Sequence, residues 1–165
     1  MAGITGQVAN LLVTKLTADG SGINARVSAI QNSDATLQAA GIRSIVTQNV
    51  SPDLSDKSGH IVYPALLVYC NKLSNQLKEK YRQFSGTGSF VIEVRQSQDQ
   101  IDSIEQNLQV YVDAVCALLD DSRGDWGGGM FYVGAYSVTF GAVKQGGKNF
   151  MQTAKITFEI GVSVS

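Results

Sequence analysis

The chain has 165 residues, with 13 Lys and Arg against 14 Asp and Glu and a formal net charge of −1. That balance argues against wholesale attraction to nucleic-acid phosphates or anionic lipid. The length suits one domain, residues 1–165, that buries about 70% of its unfolded surface in a single core.

Cys70 and Cys116 lie in the apolar runs ALLVYC and YVDAVCALL, where a thiol behaves as a small buried hydrophobe. No CxxC or Cys/His cluster accompanies them, so no zinc site is expected. The opening MAGITGQVANLLVTKLTADG lacks the basic start and unbroken apolar core of a signal peptide, and no run reaches the roughly 18 apolar residues of a membrane span. The expectation is a soluble chain made inside the cell, in a reducing compartment.

Ile4, Val8, Leu11, Leu12 and Leu16 recur at helical spacing before Gly20 and Gly22, predicting an amphipathic first helix over 4–18. A weaker helical pattern covers Asn24 to Ala40, followed by a short strand at Ile42 to Val46. SPDLSDKSGHI, from Ser51 to Ile61, reads as an exposed loop. VYPALLVYC, 62–70, is apolar at both parities, as in a strand covered on both faces and central to a sheet.

The basic stretch NKLSNQLKEKYRQF is either a short helix or a loop, closed by Gly-Thr-Gly at 86–88. Its Tyr81 and Phe84 are possible stacking groups for nucleic acid, although amphipathic packing accounts for them as well. SFVIEVRQS is a strand with Phe90, Ile92 and Val94 on one face and Glu93 and Arg95 opposite. Ser97 with Gln100 has the spacing of a capping box. The helix beyond it carries Ile101, Ile104, Leu108, Tyr111, Val112, Val115, Leu118 and Leu119 as its apolar stripe.

DSRGDWGGG, 121–129, ends that helix in turn residues. Two long β-runs follow, joined by KQGGKN at 144–149, and predict one long antiparallel C-terminal hairpin with Gly134 and Gly141 as bulges or close-approach points. From Phe150 to Val164 the even positions are mostly apolar and the odd ones mostly polar, a run more than twice the usual strand length of about five or six residues. Such a ribbon exceeds the reach of a compact domain. The sequence therefore predicts that its distal part, Ala142 to Gln152, is completed by a neighbouring subunit. The fold class that follows is α+β: a mainly antiparallel or mixed sheet of four or five strands packed by two or three helices, with a long C-terminal hairpin.

Catalytic chemistry finds little to stand on. His60 is the lone histidine and lies in a loop with no nucleophile pattern beside it. The glycines at 127–129 and 146–147 match no phosphate-binding motif and read as turn chemistry. Asp120 and Asp121 oppose the dipole at a helix C-terminus and read as solvated. No enzyme activity, cofactor or metal is expected. Lys72, Lys78, Lys80 and Arg82 fall in one segment, and Asp99, Asp102, Glu105, Asp113, Asp120, Asp121 and Asp125 in another. These are either two ordinary solvated faces or surfaces for head-to-tail contact. Trp126, the lone tryptophan, is either a binding anchor or a plug at the end of the core.

The order of elements, with an N-terminal helix, a strand opening at a proline (YPALLVY), a second strand (SFVIEVRQ), a long helix ending in ALLDD and a closing FMQTAKITFEIGVSV, resembles the tail terminator proteins of long-tailed bacteriophages. The resemblance implies a structural virion subunit, assembled in the host cytoplasm. It would form a homo-oligomeric ring, commonly of six, which caps the tail tube, ends tube polymerisation and offers the surface for head–tail joining. Its partners would be the tail tube protein and a head-completion or connector protein, with no membrane, and with DNA at most passing through the lumen. A head-completion or connector adaptor of the phage neck is the alternative with the same architecture. The residues expected at the subunit and tube interface are Lys144, Gln145, Lys148, Asn149 and Phe150 at the hairpin tip, with Trp126, Tyr136 and Phe140 as anchors.

Overall fold

The computed structural model describes residues 3–34, 37, 39–50, 61–146 and 149–165. Three helices, α1 (Ile4–Thr17), α2 (Ile23–Ser33) and α3 (Ile104–Asp121), join eight strands: β1 (Ser44–Val46), β2 (Ala65–Asn75), β3 (Phe84–Gln98), β4 (Gly124–Gly127), β5 (Met130–Tyr132), β6 (Tyr136–Phe140), β7 (Lys144–Gly146) and β8 (Asn149–Val164). All eight strands belong to one sheet ordered β1-β2-β3-β8-β5-β4, with β6 and β7 also pairing β8. Only the β1–β2 pairing is parallel. The α+β class stands, with more strands than the sequence predicts because the first arm of the C-terminal hairpin is broken into three pieces and Gly124–Gly127, within the expected turn, forms β4.

Strand β8 is the spine. Its partner on one side is β3, in unbroken register from Phe84↔Val164 to Gln98↔Phe150. On the other side β5, β6 and β7 pair with it in turn. Between Phe131↔Gly161 and Tyr136↔Phe158 the arm advances five residues while β8 retreats three, so two extra residues bulge out. Gly134 sits in that bulge at φ 104, and a Cβ there would lie 2.5 Å from the Arg123 Nε. Gly141 keeps the β6 register, its N–H donating to the Thr153 carbonyl at 2.8 Å, and a second, smaller slip of one residue follows before Lys144. Gly134 thus marks a bulge, while the second irregularity lies just beyond Gly141.

The helices cover one face of the sheet, α1 against β2 and α3 across β3 and β8, with α2 against α3. Beneath them lie Leu66, Val68, Phe90, Ile92, Val94, Ala154, Ile156, Phe158 and Ile160, all buried. Phe158 stands in an aromatic cluster, 5.6 Å from Tyr132 edge-on, 6.3 Å from Phe90 and 6.4 Å from Trp126 between ring centroids. The second face carries a smaller apolar layer of Ala65, Leu67, Tyr69 and Val91 under Val46, Val50, Ile61 and Tyr63. This accounts for the two-sided apolar pattern of β2, which lies second from the sheet edge rather than at its centre.

Several boundaries differ from expectation for local reasons. Helix α2 ends at Ser33, and Ala39 to Ile42 is tied back to it instead: the Asn24 side chain both accepts from the Ile42 N–H at 2.7 Å and donates to its carbonyl. Asn71–Asn75 prolongs β2, and the Gly-Thr-Gly segment lies inside β3. There a Cβ on Gly86 would fall 1.9 Å from the Ser74 carbonyl oxygen and one on Gly88 2.6 Å from the Phe90 ring. Ser97 belongs to β3 and caps nothing; α3 begins at Ile104 behind Ser103, which stands at φ 66 without a side-chain cap, and Ile101 is exposed. The segment 51–60, including His60, lies outside the described residues.

The length of β8 does not by itself require a neighbour. At about 3.3 Å per residue its 16 residues span about 50 Å, but β3 runs beside it throughout and Gln152, Ala154, Ile156, Phe158, Ile160 and Val162 are buried by the chain's own residues. An uncovered apolar face, the ground for expecting a second subunit over Ala142–Gln152, is therefore not found from Gln152 to Val162, while in the distal segment Ala142 and Asn149 are exposed and Phe150 is half-buried. Phe158→Ala, which empties the centre of the aromatic cluster, is expected to cost about 3–5 kcal/mol in chemical denaturation, whereas Val133→Ala, at a 70% exposed side chain, leaves stability unchanged.

Candidate interaction surface

Lys144 and Gln145 on β7 and Asn149 on β8 are exposed around the turn that joins these strands, with Phe150 half-buried behind them. Lys148 lies outside the described residues. Phe140, at the end of β6, is 52% exposed although it projects from the core side of the sheet, opposite Ala154. Tyr136 is half-buried; its hydroxyl donates to Asp120 Oδ2 at 3.4 Å. Burial pushes the Tyr136 hydroxyl up to about 12, with the Cys116 thiol and Asp120 adding to the effect. The tip residues and Phe140 thus share one end of the sheet.

Trp126 does not join them. Its indole is buried against Tyr132 at 5.7 Å, its N–H donates to the Ser122 carbonyl at 2.6 Å, and the Lys15 ammonium sits 5.1 Å over the ring. Of the two readings open in the sequence, the plug at the end of the core describes it. Phe84, a possible stacking group, is likewise buried, while its companion Tyr81 is fully exposed at φ 67. Three of the charges segregated along the sequence are paired with nearby opposite charges. Asp121 pairs with Arg26 at 2.6 Å, Asp120 with Arg123 at 3.6 Å, and Arg82 with Glu79 at 3.4 Å.

The loop between β2 and β3 folds over the second face of the sheet, where Ser163 Oγ donates to Glu79 Oε2 at 2.9 Å and the Glu79 N–H donates to Ser85 Oγ at 3.0 Å. Between this loop and Phe131 and Val133 runs an open groove of about 380 Å³, floored by Gly86, Thr87 and Gly161, with Glu159 along it. Its apolar wall is exposed, Phe131 by 50% and Val133 by 70%. Sequence periodicity missed this wall, because Val133 lies in the bulge where alternation fails.

Also missed was a buried polar cluster on the second face. Glu93 and Arg95, two apart on β3 and so on one side of it, form an ion pair at 2.9 Å with both side chains almost wholly buried. The Tyr69 hydroxyl donates to Glu93 Oε2 at 2.9 Å, and Arg95 Nη2 donates to the Val50 carbonyl. Burial raises the Tyr69 hydroxyl well above the ordinary tyrosine range, and the bond to Glu93 raises it further. Arg95 Nη1 is buried without a partner among the described residues. The arrangement holds two charges in place.

Among the described residues no group of His, Cys, Asp and Glu is placed to hold a metal ion, and no helix is long and apolar enough to cross a membrane. Cys70 and Cys116 are free thiols, both raised chiefly by burial. No protein-family model matches the chain, and no curated protein matches it in sequence.

Removing one member of the buried pair strands the other. Glu93→Gln is expected to destabilise the fold by about 3–5 kcal/mol, while the double replacement Glu93→Leu with Arg95→Met stays within about 1–2 kcal/mol of the parent or exceeds it, as read by urea denaturation. A second expectation concerns alkali. Burial pushes the hydroxyls of both Tyr111 and Tyr132 up to about 12, against about 10 in the unfolded chain. Above pH 10 the unfolded state binds fewer protons than the folded one, so their contribution is intact below pH 10 and is lost as pH rises from 10 to 12. Thermal melts across that window are expected to fall steadily, and Tyr111→Phe to shallow the slope.

Proposed function

We infer that this chain is a structural virion protein of a long-tailed bacteriophage, a tail terminator that assembles as a ring on the last ring of the tail tube, stops its growth and presents a joining surface to the head. The observation that carries the reading is the succession and proportion of elements. An N-terminal helix precedes a strand entered through Pro64, a fifteen-residue strand and an eighteen-residue helix; the chain then closes on a sixteen-residue strand whose turn displays exposed Lys144, Gln145 and Asn149. This is the element order of the tail terminators that the sequence resembles.

A role of this kind needs shape, edge pairing and surface charge, and no turnover chemistry. A chain with a net charge of −1 is compatible with a lumen that DNA traverses without strong phosphate attraction, because dense Lys and Arg contacts would hold the backbone. The exposed polar turn at β7–β8 is the surface assigned to the tube. Phe140 and the neighbouring edge are assigned to contacts between subunits.

Reversing the charge of Lys144 and Lys148 together, Lys144→Glu with Lys148→Glu, is expected to leave the melting temperature within about 2 °C, as for surface substitutions. It is also expected to weaken co-sedimentation with tail tubes by at least about tenfold, a loss of about 1.4 kcal/mol. Unchanged tube binding in the double variant counts against the tip, and capture of connector protein with no affinity for tubes turns the reading to the head-completion adaptor.

A further inference from the structure

Two edges of the sheet, β2 and β6, leave a run of backbone groups unpaired among the described residues. Beyond β1, which covers only Ala65–Leu67, the outer side of β2 has no strand beside it among the described residues, and neither has the outer side of β6. Asn71, Lys72, Leu73 and Asn75 are exposed, as are Ser137, Thr139 and Phe140. Free edges of this length are templates for another strand, so what each offers decides whether they fit one another.

Their hydrogen-bonding parity can be read from the ends of the ladders. The Gly141 N–H donates to the Thr153 carbonyl in continuation of the β6–β8 register. Alternation then assigns Thr139 and Ser137 to bonds with β8, and leaves the N–H and C=O of Val138 and Phe140 pointing outward. On the other edge the Gln76 N–H donates to the Ser85 carbonyl beside Asn75↔Gly86. Ser74 and Lys72 therefore bond β3, and Leu73 and Asn75 point outward.

The faces agree as well. Phe140 and Val138 project from the core side, opposite Ala154 and Ile156. Leu73 lies opposite Gly88, which aligns with core-side Ile160. On both edges the residues with free backbone groups are thus the core-side residues, the condition for two sheets to join into one with their cores on the same side. The strand directions agree too. β2, β3, β8 and β6 are successively antiparallel, so a copy rotated about an axis along the strands brings its β6 antiparallel to β2.

Several of the exposed apolar residues lie on or near these two edges. Leu73 is 37% exposed, Leu77 65% and Tyr81 100% as the chain runs out of β2; Phe140 is 52% and Val133 70% as it runs back from the end of β6. Antiparallel pairing sets these series against each other. On the opposite face Ser74 meets Thr139, and the exposed Lys72 falls opposite Gly141.

We propose that β2 of one copy pairs antiparallel with β6 of the next, Leu73 opposite Phe140, giving a head-to-tail contact between copies of this chain. The contact is heterologous, so repetition closes a ring or extends as a filament. It specifies the subunit interface of the ring reading above, yet it stands on edge geometry and needs no tube.

Two measurements on the full-length chain test it. In the first, Ser74→Cys and Thr139→Cys are combined in one chain and oxidised. The pairing yields a ladder of covalent species beyond the dimer, whereas either single variant alone yields none and the two mixed yield only dimer. Dimers from one single variant would mean two-fold pairing of like edges; absence of a ladder, or one appearing instead with Ser74→Cys and Ser137→Cys, would overturn the proposed register. In the second, sedimentation compares Phe140→Ala, which keeps the outward N–H, with Phe140→Pro, which lacks it. Self-association at least tenfold weaker in the proline variant, with an unchanged circular-dichroism spectrum, is expected; equal association of the two folded variants refutes a backbone seam. A ladder formed by protein that ignores tail tubes would sink the virion reading and leave the seam standing.

Discussion

Everything in this fold is indexed to the antiparallel pairing of β3 with β8. Because all fifteen residues of β3 have partners on β8, the parity of either strand fixes that of the whole sheet. Phe90 meets Phe158, Ile92 meets Ile156 and Val94 meets Ala154 on the side that the helices cover, while Glu93 meets Lys155 and Arg95 meets Thr153 on the other. Side chains alternate with a period of two, so a slip of one residue would exchange these sets. Strand β2 takes its register from β3, and β6 from β8, which is why two edges four strands apart still agree on which residues face the core.

The interruptions on the other flank of β8 have the opposite role. A continuous arm from Met130 to Gly146 would present a regular edge some seventeen residues long. The bulge at Gly134, filled by the Arg123 side chain, and the slip between Gly141 and Lys144 divide it. Only β6 then remains as a five-residue template on that side, and irregular edges limit indiscriminate pairing. A short edge with defined parity accepts fewer partners than a long one. The same breaks leave Val133 and Phe140 in the open, since neither lies under the helical layer.

Periodicity made the helical and strand cores of this chain legible. The stripe of α3, from Ile104 through Leu119, and the alternation of β8 are both found as written, because one face of each is buried by the chain itself. What stayed hidden was set by tertiary contacts. The prolongation of β2 through Asn71–Asn75 carries no apolar alternation and depends on pairing with Ser85 to Ser89. The capping-box spacing at Ser97 was outweighed by the β3–β8 ladder, which holds Ser97 opposite Met151. The length of the final strand does not itself call for a second subunit, since length along a strand says nothing of how many neighbouring strands run beside it, and here β3 accompanies it from Phe150 to Val164. In the candidate surface, the place of Lys144 beside the β7–β8 junction follows from its position in the sequence. That of Trp126 does not, as a tryptophan in a glycine-rich turn has the same sequence signature whether it plugs its own core or faces out.

The buried pair of Glu93 and Arg95 is best understood through the cost of the alternatives. As a source of stability it is weak, since desolvation of two ions consumes most of their attraction. In the observed register both charges lie on the second face, where Tyr69 and the Val50 carbonyl complete their bonding. Shifted by one residue, β3 would drive both into the layer of Phe158, Ile156 and Leu108, where no donor or acceptor is aligned to receive them, at several kcal/mol for each ion. A purely apolar strand of this length would pay far less for the same slip. The charges therefore act against the wrong alignment more than in favour of the right one. That selectivity passes outward through β2 and β8 to the two edges whose parity must match if copies of the chain are to join.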